Sequence, residues 1–333
     1  MQSQNTPLTE KKHASPRFYR WLSYLFVFPL LGLMLIFPQT AASGAMNGLV
    51  LWSQTLLPVL LPFLIISGLL VTLKLTRPLN YIFSPVLCRL FPISQAACYP
   101  LLIGTLCGMP LGAKTTSDLY RSGYITEQDA KFLLGFSNQA SLMFIISYVT
   151  TKELAAPAYT ALYLSIIYLT GFIVSSCFLH FSDCQKNNLK KHLSPAKTTQ
   201  STEEPLFFQA LDSCIIDGFA TITKIGGYVI LFSMLAAFTA LLPLPDLLTA
   251  LVGGILEITS GIHKICAGNI SPIQKTALTI GITAFGGISG ILQTRSVTLG
   301  SGLSIRYYIL VKLAHGVLAG LVTFIISSWL LHL

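Results

Sequence analysis

Residues 21–73 contain no Lys, Arg, Asp, Glu or His. A soluble fold cannot hide so long an uncharged stretch behind a hydrated surface, whereas a bilayer requires it: a spanning helix needs about 20 mostly apolar residues. Residues 132–151, 154–179, 225–245 and 313–333 also lack Lys, Arg, Asp and Glu and are near spanning length. Of the 333 residues, 53% are hydrophobic and 10% charged, against about 25% charged in soluble domains. Strands would cross only as a closed barrel with alternating apolar and polar residues. These runs are continuously apolar, so the expected fold class is an all-α polytopic membrane protein.

The formal net charge of +9 has its bases in short loops beside apolar runs, the distribution of the positive-inside bias. With no basic arm and no aromatic-plus-basic groove, the expected partners are a lipid bilayer and a small-molecule solute, with no nucleic acid; a homo-oligomer is compatible with this. The seven cysteines form no C-x-x-C pair and read as small hydrophobes that pack. No cofactor and no metal site are expected. An intramembrane hydrolase is disfavoured by the lack of paired aspartates in a Gly-x-Gly-Asp context and of His-Glu-x-x-His. Gly108-Met109-Pro110-Leu111-Gly112-Ala113-Lys114-Thr115 approaches a phosphate-binding P-loop. It has Ala113 where that motif needs Gly, and it follows an apolar segment rather than a strand. ATP binding is therefore excluded, and the chain is not read as an enzyme.

Residues 1–20 read as a polar cytoplasmic tail and 21–44 as an uncleaved first transmembrane helix interrupted at Pro38. Its basic flank and Ala41-Ala42-Ser43-Gly44-Ala45 resemble a signal peptide, but the apolar run is too long and a second span follows at once. Spans are expected near 48–73, 132–151, 157–180, 222–243 and 307–331, with shorter apolar segments at 79–91, 97–113, 247–262 and 277–294. Residues 182–206, with Lys186, Lys190, Lys191, His192 and Lys197, read as a solvated cytoplasmic linker. It divides a first repeat with an extra span (45–181) from a second (207–333). Gly104, Gly108 and Gly112 with Ser122-Gly123 are matched to Gly281, Gly286 and Gly290 with Ser301-Gly302. The charge distribution orients the two halves oppositely. Inverted repeats with Gly-interrupted short segments point to a transporter site, because irregular backbone at membrane depth survives only against protein or a wet cavity. The expectation is one Gly-rich re-entrant hairpin per repeat, at 97–113 and 277–294.

The run Gly108-x-Pro110-x-Gly112-Ala113-Lys114, then Asp118-Leu119, Gly123 and Phe136-x-Asn138, resembles the signature of YlbJ-type sporulation integral membrane proteins. These belong to the gate-domain or nucleoside-recognition group. Phe285-Gly286-Gly287-x-Ser289 is similar to the second gate motif of that family. The resemblance covers roughly residues 45–325. It implies a distant likeness to concentrative nucleoside transporters and export of dipicolinate from the mother cell toward the forespore. After Asn138 the pattern departs: Gln139-Ala140-Ser141-Leu142 stands where a second Asn or small residue and a Gly-Pro are expected. If that segment lines the site, the substrate differs.

The candidate substrate-binding set is Gly108, Pro110, Gly112, Lys114, Asp118, Ser137, Asn138, Gln139, Gly286, Gly287, Ser289 and Arg295. Lys114 follows the Gly-Pro-Gly turn, where a helix N-terminus and an ammonium together attract an anion. Arg295 occupies the matching place in the second half, and the pair would suit a small dicarboxylate. Lys114 and Asp118 are also spaced for an i,i+4 ion pair. Ser137, Asn138 and Gln139 could hydrogen-bond a solute or a neighbouring helix. Glu257, alone in an apolar run, is a coupling candidate for a proton or cation. Lys312 and His315 in the last span raise the same question, with hydrogen-bonded packing the expected state of the histidine.

Overall fold

The computed structural model describes residues 16–73, 75–186 and 207–330. The tail before residue 16 and most of the 182–206 linker lie outside the described residues. Among the described residues the regular structure is entirely helical. Four helical stretches are long and apolar enough to cross a membrane: Pro157–Phe181, Phe207–Leu241, Pro272–Thr298 and Ile305–Trp329. Two bent pairs, Val27–Ile36 with Pro38–Leu56 and Leu60–Thr72 with Thr76–Leu90, raise the number to six if each is one span.

Helix α1 (Pro16–Ile36) stops because Pro38 bars Phe37 from helical geometry: Phe37 sits at φ −123°, ψ 61°. Pro38 then opens α2 (Pro38–Val50), and the path bends by 107°. Beyond a π-helical turn at Leu51–Leu56 comes α3 (Leu57–Thr72). Ala41 and Gly44, within the stretch 41–45 that looks like a cleavage site in the sequence, lie with Gly48 on a helix face buried on α9 (Phe207–Phe238). A Cβ added at Gly44 would lie 2.8 Å from Met234 Cα, and one at Gly48 would lie 2.7 Å from Ile230 Cα. This is helix packing through small residues four apart. Trp52 in the π-turn donates its indole N–H to the Ile222 carbonyl of α9 at 2.9 Å.

Helix α4 (Thr76–Leu90) leads into α5 (Cys98–Cys107), which reverses at Gly108, Met109 and Pro110 into α6 (Leu111–Arg121). Gly108 at φ +76° makes the turn, and a Cβ on Gly112 would come 2.9 Å from Gly104 Cα. Glycines 104 and 112 therefore face each other across a hairpin, as expected for 97–113.

Helix α7 (Glu127–Phe136) starts on a capping box between Thr126 and Asp129. The span expected at 132–151 is interrupted: the helix unwinds over 137–141 and resumes as a π-helical segment, Phe144–Glu153. Its apolar composition hid the break because the polar Ser137, Asn138 and Gln139 are turned into the protein interior, where all three are buried. Helix α8 (Thr160–Lys186) closes this half.

After α9 come α10 (Asp246–Leu256) and α11 (Ile258–Ala267). A Cβ on Gly261 would lie 1.9 Å from Gly254 Cα, so this pair is also a hairpin, turning at Glu257. It occupies the segment read as a single short piece at 247–262. The hairpin expected at 277–294 is not there. Instead α12 (Pro272–Phe285) runs on through Gly286 and Gly287 into α13 (Gly287–Thr298) as one 27-residue path. The physical reason is that positive φ at Gly286 (+86°) and Gly287 (+70°) breaks the hydrogen-bond ladder without reversing the chain. Glycines four apart serve either outcome. Helix α14 (Ile305–Leu330) packs on α12, with Gly281 against Gly316 and Gly320.

Each half thus contains a helix hairpin (α5–α6, α10–α11), then an interrupted helical path (137–141, Gly286–Gly287), then an unbroken helix (α8, α14). The first hairpin corresponds in order to α10–α11, and not to 277–294.

Gly261→Val should prevent α10–α11 from closing, since the backbone of Gly253 and Gly254, and not a flexible side-chain tip, opposes it; overpacking of this kind costs about 3 kcal/mol or more. Thermal unfolding in detergent should show a clear fall. Gly227→Ala, where a Cβ meets nothing within 4 Å, should be neutral or slightly stabilising.

Candidate functional site

The turn of the first hairpin is seated on both helix interruptions. The Met109 amide donates to the Gln139 carbonyl at 2.6 Å. A Cβ on Gly108 would collide with Ser141 N at 2.5 Å, so only glycine lets the turn reach the 137–141 backbone. The Met109 thioether extends the other way. Its Sδ would lie 2.7 Å from a Cβ on Gly290 and its Cε 2.9 Å from one on Gly286. The second hairpin reaches the same place: the Cβ position of Gly287 is 3.2 Å from Ile258 Cγ2 and 3.5 Å from the carbonyl oxygens of Gly254 and Ile255. Two hairpin turns and two unwound segments therefore converge, and α14 passes beside them.

Asn138 ties the convergence together. Its Oδ1 accepts from the Ala113 amide in the first turn of α6 at 3.2 Å. Its Nδ2 donates to Thr294 Oγ1 of α13 at 2.8 Å and to the Tyr308 hydroxyl oxygen of α14 at 2.9 Å. The Tyr308 O–H in turn donates to the Asn138 carbonyl at 3.3 Å. All of these groups are buried, so the amide is consumed by the fold. Glu257, at 4% exposure, is likewise satisfied within the second turn. It caps α11 by accepting from the Thr259 and Ser260 amides at 3.0 and 2.8 Å and from Ser260 Oγ at 2.9 Å. These bonds occupy both carboxylate oxygens.

Three buried polar atoms at the convergence have no partner among the described residues: Lys312 Nζ, Gln139 Oε1 and His315 Nδ1. Lys312 is fully buried on α14, its Cε 3.8 Å from the Cβ position of Gly286. His315 lies one turn further along α14. Its Nε2 is 2.9 Å from the Ile167 carbonyl of α8, which makes Nε2 the protonated nitrogen and Nδ1 an acceptor. The expected packing bond is present, and it leaves the other face of the ring unused. Gln139 and His315 flank Gly171 from two sides, each with a nitrogen about 3.1–3.2 Å from where a Cβ would stand. Lys312 was noticed in the sequence only as an ionisable residue in a span. Its proximity to Gly286, two elements away, could not be read there.

The remaining candidates separate. Lys114 and Asp118 form the anticipated i,i+4 pair at 2.6 Å, each side chain a little over a quarter exposed. Both also line a cavity of about 430 Å³ between α3, α6 and α9, together with Arg121 and Asp217. Leu111, Lys114, Asp118 and Ser122 are a stripe at helical spacing along α6, which begins at the hairpin turn, so the cavity runs alongside α6 away from the convergence. Gly108, Pro110, Gly112, Ser137, Asn138, Gln139, Gly286, Gly287 and Ser289 belong to the two turns and breaks. Arg295 does not pair with Lys114. It is exposed on the last turn of α13, because the second glycine segment runs on instead of folding back.

This arrangement can be set beside known proteins. The chain is 23% identical over 321 residues to Sporulation integral membrane protein YlbJ of Bacillus subtilis (strain 168), a match that covers 88% of this chain and 78% of that protein. This similarity supports a YlbJ-type family assignment. Together with the apolar helices, it makes the chain a multi-pass membrane protein. No family model matches the chain, and no solved structure matches it.

Asn138→Ala should leave the Ala113 amide without its acceptor and Thr294 Oγ1 and the Tyr308 hydroxyl oxygen without their donor, while Tyr308 keeps its bond to the residue-138 carbonyl. At about 1–3 kcal/mol per unsatisfied group, a loss of at least about 2 kcal/mol is expected in detergent unfolding. The double variant with Tyr308→Phe should lose less than the sum of the single losses, the mark of a shared network. Strict additivity would show that the two side chains act independently.

Proposed function

We propose that this chain is a membrane transporter of a small anionic solute, with dipicolinate export during sporulation as the specific reaction implied by the family resemblance. The observation that carries the reading is the seating of both hairpin turns on the two helix interruptions, through Met109 at Gly286 and Gly290 and through Ile258 at Gly287. Interrupted helices meeting hairpins at depth are what a carrier uses to present free backbone groups to a solute, and such backbone is tolerated only away from lipid. The recurring order of hairpin, interrupted path and unbroken helix supports two related halves. The distribution of bases supports their opposite orientation, and the family resemblance implies a concentrative-nucleoside-transporter-like plan. In this reading the cavity beside α6, with Lys114, Asp118, Arg121 and Asp217, is the aqueous approach to the convergence. It opens on the cytoplasmic side, beside the first half of α9. The membrane is the cell membrane, and in a sporulating organism the mother-cell or outer forespore membrane. The name of the Bacillus subtilis relative supports the link to sporulation. The role is transport, not catalysis.

A second reading has one observation in its favour. Asn138, the centre of the motif, spends all of its hydrogen bonds on the protein, as a static scaffold or a nucleoside-sensing gate-domain protein would. Flux separates the two. Purified full-length chain in proteoliposomes should move dipicolinate above the protein-free background, and Lys114→Ala should lower that flux about tenfold at equal membrane abundance. That is the size of one lost charge-assisted hydrogen bond. Unchanged transport at equal abundance would remove Lys114 from the path. Absence of flux for dipicolinate and nucleosides alike would favour the scaffold.

A further inference from the structure

The convergence contains a buried lysine whose side-chain nitrogen has no partner among the described residues. The other buried polar groups of the two turns and breaks are largely answered from within: Glu257 caps α11, Asn138 binds three elements, and Ser289 Oγ accepts from Gln293 Nε2 at 3.0 Å. Lys312 is fully buried, yet its Nζ meets no acceptor among the described residues. A charge in such a place is costly unless a partner is supplied. An apolar side chain of similar length would fill the same space without that cost, so the lysine weakens the protein by itself. Its end lies beside Gly286, where α13, a 12-residue helix, begins with its amides at the interruption. A helix N-terminus and an ammonium at one point favour an anion together. On the 137–141 break and one turn further along α14, beside Gly171, Gln139 Oε1 and His315 Nδ1 are acceptors without a donor among the described residues.

We propose that Lys312 and the first turn of α13 form the anion subsite of the convergence, with Gln139 and His315 receiving a hydrogen-bond donor on the same solute. The ligand class is a small carboxylate bearing a second polar group that can donate, such as a singly protonated dicarboxylate or a hydroxy acid. This rests on the transport reading for its setting, but it concerns binding and can be tested apart from flux. It also moves the decisive charge from Lys114, which already has Asp118, to a residue in the last span.

The test is Lys312→Met in the full-length protein, followed by thermal unfolding and by binding of pyridine-2,6-dicarboxylate at a mildly acidic pH at which one of its two carboxyl groups is protonated and can donate, with its neutral diamide as the control. Without ligand, K312M should melt at a higher temperature than wild type, because a buried unpaired cation has been removed. The dicarboxylate should stabilise wild type and the diamide should not. K312M should bind the dicarboxylate about tenfold more weakly or worse, the equivalent of a lost charge-assisted hydrogen bond, and should lose its transport in parallel. Gln139→Leu should weaken dicarboxylate binding while leaving the ligand-free melting temperature at or above that of wild type.

A K312M protein that melts lower or fails to accumulate would show Lys312 to be structural and overturn the assignment. Equal binding and flux in K312M and wild type would also overturn it while leaving the transport reading intact. Binding by wild type, lost in K312M, without flux from either would support the subsite and overturn transport. If wild type fails to bind the dicarboxylate, the subsite assignment falls, and the transport reading is then decided by nucleoside flux alone.

Discussion

Unwound backbone inside a membrane protein must find its hydrogen bonds within the protein, and much of this architecture follows from that requirement. The helix broken at 137–141 and the path broken at Gly286 and Gly287 would each expose peptide groups if they faced lipid. Both are instead capped by a hairpin turn. The Met109 amide takes the Gln139 carbonyl, the Asn138 side chain takes the Ala113 amide, and the second turn abuts Gly287. The hairpins in turn need the breaks, since a turn such as Gly108-Met109-Pro110 also carries peptide groups that lipid cannot satisfy.

Close approach is the means by which this is achieved. Gly104 meets Gly112, Gly254 meets Gly261, Gly44 and Gly48 meet α9, and Gly281 meets Gly316. Without a hydrophobic force to drive helices together inside lipid, association depends on packing and on polar contacts. Glycines let the backbones come close enough for both. At Gly108, Gly286 and Gly287 the lack of a Cβ serves a second purpose, because the positive φ there ends one helix and redirects the next.

The charges divide by depth. Lys114 and Asp118 pair on the wall of a cavity and keep contact with water. Glu257 is buried but holds the start of α11. Lys312 at the convergence is fully buried and has no partner among the described residues, so a bound anion would change its energy more than that of any of the other three. The asymmetry between a satisfied carboxylate and an unsatisfied ammonium favours anion over cation recognition at this depth.

The sequence by itself determined that the chain is helical and membrane-embedded, because hydropathy and charge are local properties. It also pointed to a chain reversal near Gly108, where the structure has the turn between α5 and α6, and to the pairing of Lys114 with Asp118, because i,i+4 spacing puts them on one helix face. It did not determine the path of the second half. Glycines four apart are equally suited to a reversal and to an interrupted helix, and only the packing of α12 on α14 and of Met109 on Gly286 and Gly290 selected the latter. For the same reason Arg295 went to the surface and Glu257 to a turn. The meeting of Lys312 with Gly286, and of Gln139 with His315 across Gly171, joins residues far apart along the chain. Only the tertiary structure could decide it, since burial and the lack of a partner belong to the assembled fold and not to any segment.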